Sequence, residues 1–416
     1  MRGLIAAVCL ALSGVAQAQT GSMGGPGAPI AYQPGAASRD TYICLIPDTQ
    51  NLTSSEDHAA NANPDTCAVN PADSGCPSPT VCAASPYCKN SWRATGRQLL
   101  LNLAYDLTGQ WAMEDYRGFG DLDSARSGEI NAIDHPRCDL ILSLGDMSDI
   151  DDAIVLTNPT YGQLSKFGQG QIDMVNEFWQ IIKRSGIPFL TLQGNHDPNE
   201  PFKNTMTTAL NFSSLPFYYD KESGGLGYAI KTMTPTGKNF CVIGLPYVST
   251  ASALTWKQNT IGCGSGYPTI ILHHSAVTEN GDLSGFGLAT TIDTAGNQEA
   301  FMFAGGHWTG SGVLASSKAG KTGTWGVDAD STYFTFFSNW QELNRHNNGL
   351  SPIYGITMSD SGGIYYTVIR VAPETDSITA WDWSPYWRRR TMDANVMTLD
   401  YTSSYSVTFD FDARFP

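Results

Sequence analysis

The chain has 416 residues, 41% of them hydrophobic and 15% charged, with a formal net charge of −15. That apolar share can build a sizeable core, which excludes both a disordered chain and a miniprotein held by disulfides alone. The acidic surplus argues against general nucleic-acid binding, but it leaves small phosphorylated partners open, because bound cations reverse the local field.

The chain starts Met1-Arg2, runs through an apolar stretch from Leu4 to Val15, and reaches Ala16-Gln17-Ala18. A basic start, a short apolar core and a small-residue cleavage site make residues 1–18 a predicted secretory signal. The stretch is too short to span a bilayer, and no later segment reads as a membrane span. Export to the periplasm or the extracellular space is therefore expected. Residues 19–40, rich in Gly, Pro and Ala, read as a flexible lead-in. Of the nine cysteines, Cys9 lies in the leader. The others would face an oxidising compartment, where disulfides are the default. Cys67, Cys76, Cys82 and Cys88 crowd into a polar stretch that reads as a disulfide-pinned insertion at about 51–92. A zinc knot is disfavoured there because no Cys-x-x-Cys pair is present. Cys44 and Cys241 lie in apolar runs and fit buried thiols as well as disulfides.

From residue 41 the pattern alternates. Thr41 to Pro47 reads as a strand, Arg93 to Met113 as a helix with Leu99, Leu100, Leu103, Leu107 and Trp111 at helical spacing, and Asp139 to Leu144 as a buried strand. Gln171 to Arg184 reads as a second helix, and Ile187 to Leu192 as a third strand. This is an α/β signature. The second half is mainly strands: residues 227–233, 239–247, 268–272, 300–304, 333–337, 353–358, 364–371 and 377–383, with 404–411 as a terminal strand. One domain over 41–385 is expected, with residues 386–416 packing on it as an extension. The run Trp381, Trp383, Tyr386, Trp387 reads as packing more readily than as a substrate cleft. Ala315 to Thr322 resembles a phosphate-binding loop but lacks its first glycine, and is set aside.

Five strand ends carry possible metal ligands: Asp48 and Gln50; Asp146 and Asp149; Asn195 and His196; His273 and His274; and His307. Taken singly, each is an ordinary turn or cap. Together they mix carboxylates, imidazoles and an amide, a set suited to Mn, Fe or Zn. Two such ions can share a carboxylate and activate water at neutral pH.

Asp48-Thr49-Gln50, Gly145-Asp146-Met147-Ser148-Asp149, Gly194-Asn195-His196-Asp197, His273-His274 and Gly306-His307-Trp308-Thr309 follow one another in the order seen in the calcineurin-like metallophosphoesterases, which the chain resembles over about residues 41–310. The resemblance implies a four-layer α/β/β/α sandwich of two mixed sheets flanked by helices. It implies one or two divalent first-row ions and hydrolysis of phosphate mono- or diesters of a small substrate by a metal-activated hydroxide. Asp48 and Gln50 would serve the first metal, Asp146 would bridge, and Asn195, His307 and His273 would hold the second. His274 would then support the ligands from behind or replace His273. His196 would stabilise developing charge or protonate the leaving oxygen, and Asp149 and Asp197 would orient their neighbours. Gln50 and Thr309 stand where the family has histidines, which weakens the first metal site. The alternative is a non-catalytic or single-metal binding protein that keeps the fold.

Overall fold

Strands covered on both faces need apolar side chains at nearly every position, and the runs that meet this condition form the middle of two sheets. The computed structural model describes residues 40–49, 96–109, 138–148, 166–277, 283, 299–307, 318–324, 332–338, 366–384, 389–390 and 405–416. Its first half gives β1 (Thr41–Ile46), α1 (Gly96–Leu107), β2 (Leu140–Ser143), α2 (Lys166–Ser185), β3 (Phe189–Leu190) and α3 (Asn199–Asn204), which runs into a π turn at Thr205–Ala209. Then come β4 (Tyr218–Lys221), β5 (Tyr228–Met233), β6 (Asn239–Gly244), α4 (Ala251–Thr260), β7 (Thr269–Leu272) and β8 (Ala300–Gly305). The chain continues through β9 (Lys318–Thr324), β10 (Thr332–Phe337), β11 (Tyr366–Ala372), β12 (Ser377–Ser384), β13 (Arg389–Arg390) and β14 (Tyr405–Thr408), and ends with α5 (Phe411–Arg414).

The strands make two mixed seven-stranded sheets. The first has the order β13-β12-β11-β1-β2-β3, with β14 also on β12; the second runs β4-β5-β6-β7-β8-β10-β9. In the first, β1, β2 and β3 are parallel. In the second, β6, β7, β8 and β10 are parallel. Parallel strands present their carboxyl ends on one edge, so Asp48, Asp146 and Asn195 share an edge of the first sheet. His273, His274 and His307 share one of the second.

One buried cluster draws on both sheets, including Leu142, Phe189, Val242, Ile270, Leu272, Phe334 and Val368. A second cluster, with Ile243, Leu245, Ile271 and Phe303, lies on the opposite face of the second sheet. Neighbours along β7 therefore face opposite ways, as the pleat requires. Trp179 of α2 stacks on Phe189 at 5.3 Å between centroids. At the end of the chain Phe409, Phe411 and Phe415 close around Phe301.

Several boundaries differ from expectation. The helix expected over 93–113 is shorter, and that over 171–184 starts earlier, at Lys166. Only Phe189 and Leu190 of the run 187–192 pair as strand, although the Pro188 carbonyl also accepts from the Ile141 N–H at 3.0 Å. The terminal stretch 404–411 divides into β14 and α5, whose first turn is capped by Asp410 accepting from the Ala413 N–H at 2.8 Å. Lys318–Thr324, which overlaps the stretch set aside as a phosphate loop, is a strand paired with β10. The insertion at 51–92 and the strand expected at 353–358 lie outside the described residues. Trp381 and Trp383 are buried in the common core.

Cys44 pairs with Cys138, and Cys241 with Cys263, so the buried-thiol reading of Cys44 and Cys241 gives way to disulfides. The first closes a separation of 94 residues between β1 and the approach to β2, worth on the order of 4 kcal/mol in the chain-entropy picture. Both bonds fit an oxidising compartment. Among the described residues no helix is long and apolar enough to cross a membrane.

Helix α4 was not expected. It starts at Thr250, whose hydroxyl accepts from the Ala253 N–H, and it buries Ala253, Lys257 and Thr260. Lys257 is 0% exposed and its Nζ has no hydrogen-bond partner. Burial pushes its pKa down to about 8. The unfolded chain therefore binds a proton between about pH 8 and 10.5 that the folded chain releases, and the penalty is in full force below pH 8. Lys257→Met should raise the unfolding free energy at pH 7 by up to roughly 3–4 kcal/mol, at about 1.4 kcal/mol per pKa unit. It should also remove the gain in stability on going from pH 8 to 10.5. Urea titrations at both pH values check this, and an unchanged pH slope would contradict it.

Candidate metal centre

The site is built outward from the turn after β2. Gly145 has φ +95°, and Asp146 itself sits in the left-handed region at φ +49°, a conformation Asp tolerates better than most residues. The turn is tied to its neighbour by the Thr49 N–H donating to the Asp146 carbonyl at 3.1 Å, and by the Leu144 N–H donating to the Ile46 carbonyl at 3.0 Å. A Cβ on Gly145 would come within 2.7 Å of His274 Nδ1. A Cβ on Gly194 would overlap Asp146 Oδ1 and the Asp146 backbone nitrogen. Both motif glycines are thus required by close approach, since they let the ends of β2 and β3 and the turn after β7 touch.

Asp146 is 1% exposed. Its Oδ1 accepts from the His196 backbone N–H at 2.8 Å, and its Oδ2 lies 3.0 Å from His274 Nε2. The same Nε2 lies 3.0 Å from Asn195 Oδ1. Behind the ring, His274 Nδ1 meets the Leu144 carbonyl at 2.6 Å. That carbonyl can only accept, so Nδ1 carries a hydrogen and Nε2 points at the two oxygens. Fixing an imidazole from behind in this way is how proteins present the other nitrogen to a metal. His307 completes the group: its N–H donates to the His274 carbonyl at 2.7 Å, and the two rings are 4.8 Å apart. One ligand atom each from Asp146, His274 and His307 lie within 4.8 Å of one another. A carboxylate oxygen, two imidazole nitrogens and the nearby Asn195 oxygen are a donor set that fits a first-row divalent cation.

Electrostatics follow the same geometry. Burial opposes the charge on Asp146, but His274 and His196 outweigh it and hold the carboxyl below its ordinary range. Burial likewise opposes a charge on His274, yet Asp146 beside it and the Leu144 carbonyl behind it raise its pKa. His307 is pushed down to about 4, first by burial and then by His274. It is therefore neutral, with a lone pair to offer, across the physiological range.

Asp197 does a different job. Its two oxygens accept from the Met147 N–H (3.2 Å), the Ser148 N–H (3.0 Å), the Ser148 hydroxyl (2.7 Å) and the Gly194 N–H (3.1 Å). It clamps the turn after β2 to the turn after β3. Burial, and Asp146 nearby, raise its pKa.

The expectation that His273 rather than His274 points to the centre is corrected. His273 Nδ1 accepts from the Ser275 N–H at 3.1 Å, so Nε2 carries the hydrogen and donates to the Tyr247 carbonyl at 3.1 Å. Neither nitrogen has a lone pair to spare. The cause is the pleat: Ile271 faces the second cluster and Leu272 the first, and His274, rather than His273, comes out on the Asp146 side. Asp48 is buried at the end of β1 but is not one of the three groups whose donor atoms converge. Gln50, Asp149 and Thr309 lie outside the described residues. Tyr247, which sequence reasoning missed, packs its ring edge-on against both His274 and His307, at 5.8 Å from each.

Searched against known families, the chain matches no family model, and no curated protein is significantly similar to it.

Two substitutions check the geometry. His274→Ala should weaken manganese or zinc binding by at least about a hundredfold, more than loss of a residue that merely supports a ligand, whereas His273→Ala should leave it within about tenfold. Competition with a fluorescent chelator reads both, and the reverse ranking would refute the assignment. Gly194→Ala should abolish binding through overlap with Asp146, read by metal content after desalting.

Proposed function

We propose that the chain is an exported, metal-dependent phosphoric ester hydrolase of the calcineurin-like metallophosphoesterase type, in which two sheets pack face to face between helices. The observation that carries the reading is the convergence of Asp146, Asn195, His274 and His307 from four strand ends, in the motif order of that family, with His196 beside them. These four residues would hold one divalent ion. Asp48, with Gln50 and Thr309, would serve a second, weaker position. A bound divalent ion supplies Lewis acidity toward phosphoryl oxygens and makes a water nucleophilic near neutral pH.

The protein's own groups divide the remaining work. Asp146 draws the cation into the gap between the sheets. The Leu144 carbonyl keeps a hydrogen of His274 on Nδ1, so Nε2, which faces Asp146 and Asn195, is the nitrogen that would ligate once a cation displaces its hydrogen. Asp197 holds the two turns at fixed separation, so the ligands need no reorganisation when the cation arrives. His196 has its backbone pinned to Asp146 by the 2.8 Å hydrogen bond, and it is half-buried beside the ligand set. It can donate a proton to the leaving oxygen or stabilise charge on the phosphoryl group.

A second reading, a single-metal binding protein on the same fold, draws on the converging group among the described residues, Asp146, His274 and His307, which could hold one ion. Turnover of bis(p-nitrophenyl) phosphate and p-nitrophenyl phosphate by manganese-loaded protein, with and without chelator, separates the two. Chelator-sensitive hydrolysis is expected. Bound metal with no turnover of either ester would favour the binding protein. His196→Ala should lower turnover by about 10²–10⁴-fold, the range of a lost general acid, with metal content unchanged. Loss of metal in that variant would mean that His196 is a ligand.

A further inference from the structure

We propose that Tyr247 is the wall of the substrate site, seating a flat aromatic group of the phosphate ester beside the metal centre, and that His273 is the residue that positions it. The inference rests on the hydrolase reading above.

Tyr247 follows β6, on the edge of the second sheet that also carries His274 and His307. Its half-buried ring stands edge-on to His274 (70° between planes) and to His307 (64°). It lies almost parallel to His273, at 18° and 6.4 Å. One side of the tyrosine therefore belongs to the metal centre and the other to the histidine that is not a ligand. The next residue, Val248, is 72% exposed, the most exposed large hydrophobic side chain among the described residues. An aromatic ring packed against the metal centre, followed in the chain by an exposed aliphatic residue, suits a ligand whose body is apolar and flat.

The same contacts give His273 a purpose. Its Nδ1 is held by the Ser275 N–H and its Nε2–H holds the Tyr247 carbonyl. A rim residue is thereby anchored to the backbone of the ligand-bearing turn. The paired histidines after β7 thus divide the labour: His274 addresses the cation and His273 fixes the wall beside it.

The test uses the manganese-loaded full chain and two non-hydrolysable probes, phenylphosphonate and methylphosphonate, with affinities read by calorimetry. Wild type should prefer phenylphosphonate by roughly fivefold, the scale of one aromatic contact. Tyr247→Ala should abolish that preference by lowering phenylphosphonate affinity more than methylphosphonate affinity, and Tyr247→Phe should keep it. His273→Leu should reduce the preference, and His273→Gln, whose amide can still donate to the Tyr247 carbonyl, should restore part of it. A preference that survives in Tyr247→Ala would overturn the tyrosine wall and leave the hydrolase reading standing. Failure of manganese-loaded wild type to bind either probe would overturn both.

Discussion

Everything at the candidate centre depends on the close contact between Asp146 and Gly194. Asp146 occupies a left-handed backbone conformation, which places its carboxylate over the chain at Gly194 with no room for a side chain there. In that position one oxygen fixes the backbone of His196 and the other reaches His274. Its carbonyl meanwhile fixes Thr49. A single residue thus holds three strand ends from two sheets in register. The conformation costs of order 1 kcal/mol or more and persists because these contacts over-determine it.

The choice of ligand among chemically equal candidates is then made by hydrogen-bond capacity. An ionised carboxylate has about four acceptor sites. Asp197 fills all four with three backbone N–H groups and a hydroxyl, so it has nothing left for a cation. Asp146 accepts from one N–H and faces one imidazole, so two sites are open. The histidines sort in the same way, with both nitrogens of His273 turned to backbone groups and His274 held from behind by the Leu144 carbonyl while its Nε2 faces Asp146 and Asn195.

This sorting explains what could be read from the amino-acid sequence. The strand ends were legible, because β1, β2, β7 and β8 are apolar runs that stop at Gly, Asp or His. Which of two adjacent histidines turns inward was not. Thr269–Leu272 is buried on both faces, so its sequence has no polar alternation to reveal the pleat. Helix α4 was illegible for a related reason. Its buried face is Ala253, Lys257 and Thr260, and no 3.6-residue apolar stripe can come from one small, one charged and one polar side chain. Tyr247 gave no signal because an aromatic residue just past a strand is ordinary, and only the folded positions of His274 and His307 give it a context.

The two faces of the second sheet also carry different kinds of constraint. Its inner face shares a core with the first sheet, so the alignment of ligands across the gap is held by side chains packed between the two sheets. Its outer face is covered by α4, with an unpartnered lysine and a disulfide between Cys241 and Cys263. There a covalent link ties β6 to the turn after α4. The rim residue Tyr247 hangs from this outer layer through His273, whereas His274 belongs to the inner one. The ligand His274 is therefore tied to the inner layer, and the wall beside it to the outer one. Binding sites are commonly divided this way between a fixed chemistry and an adjustable recognition surface.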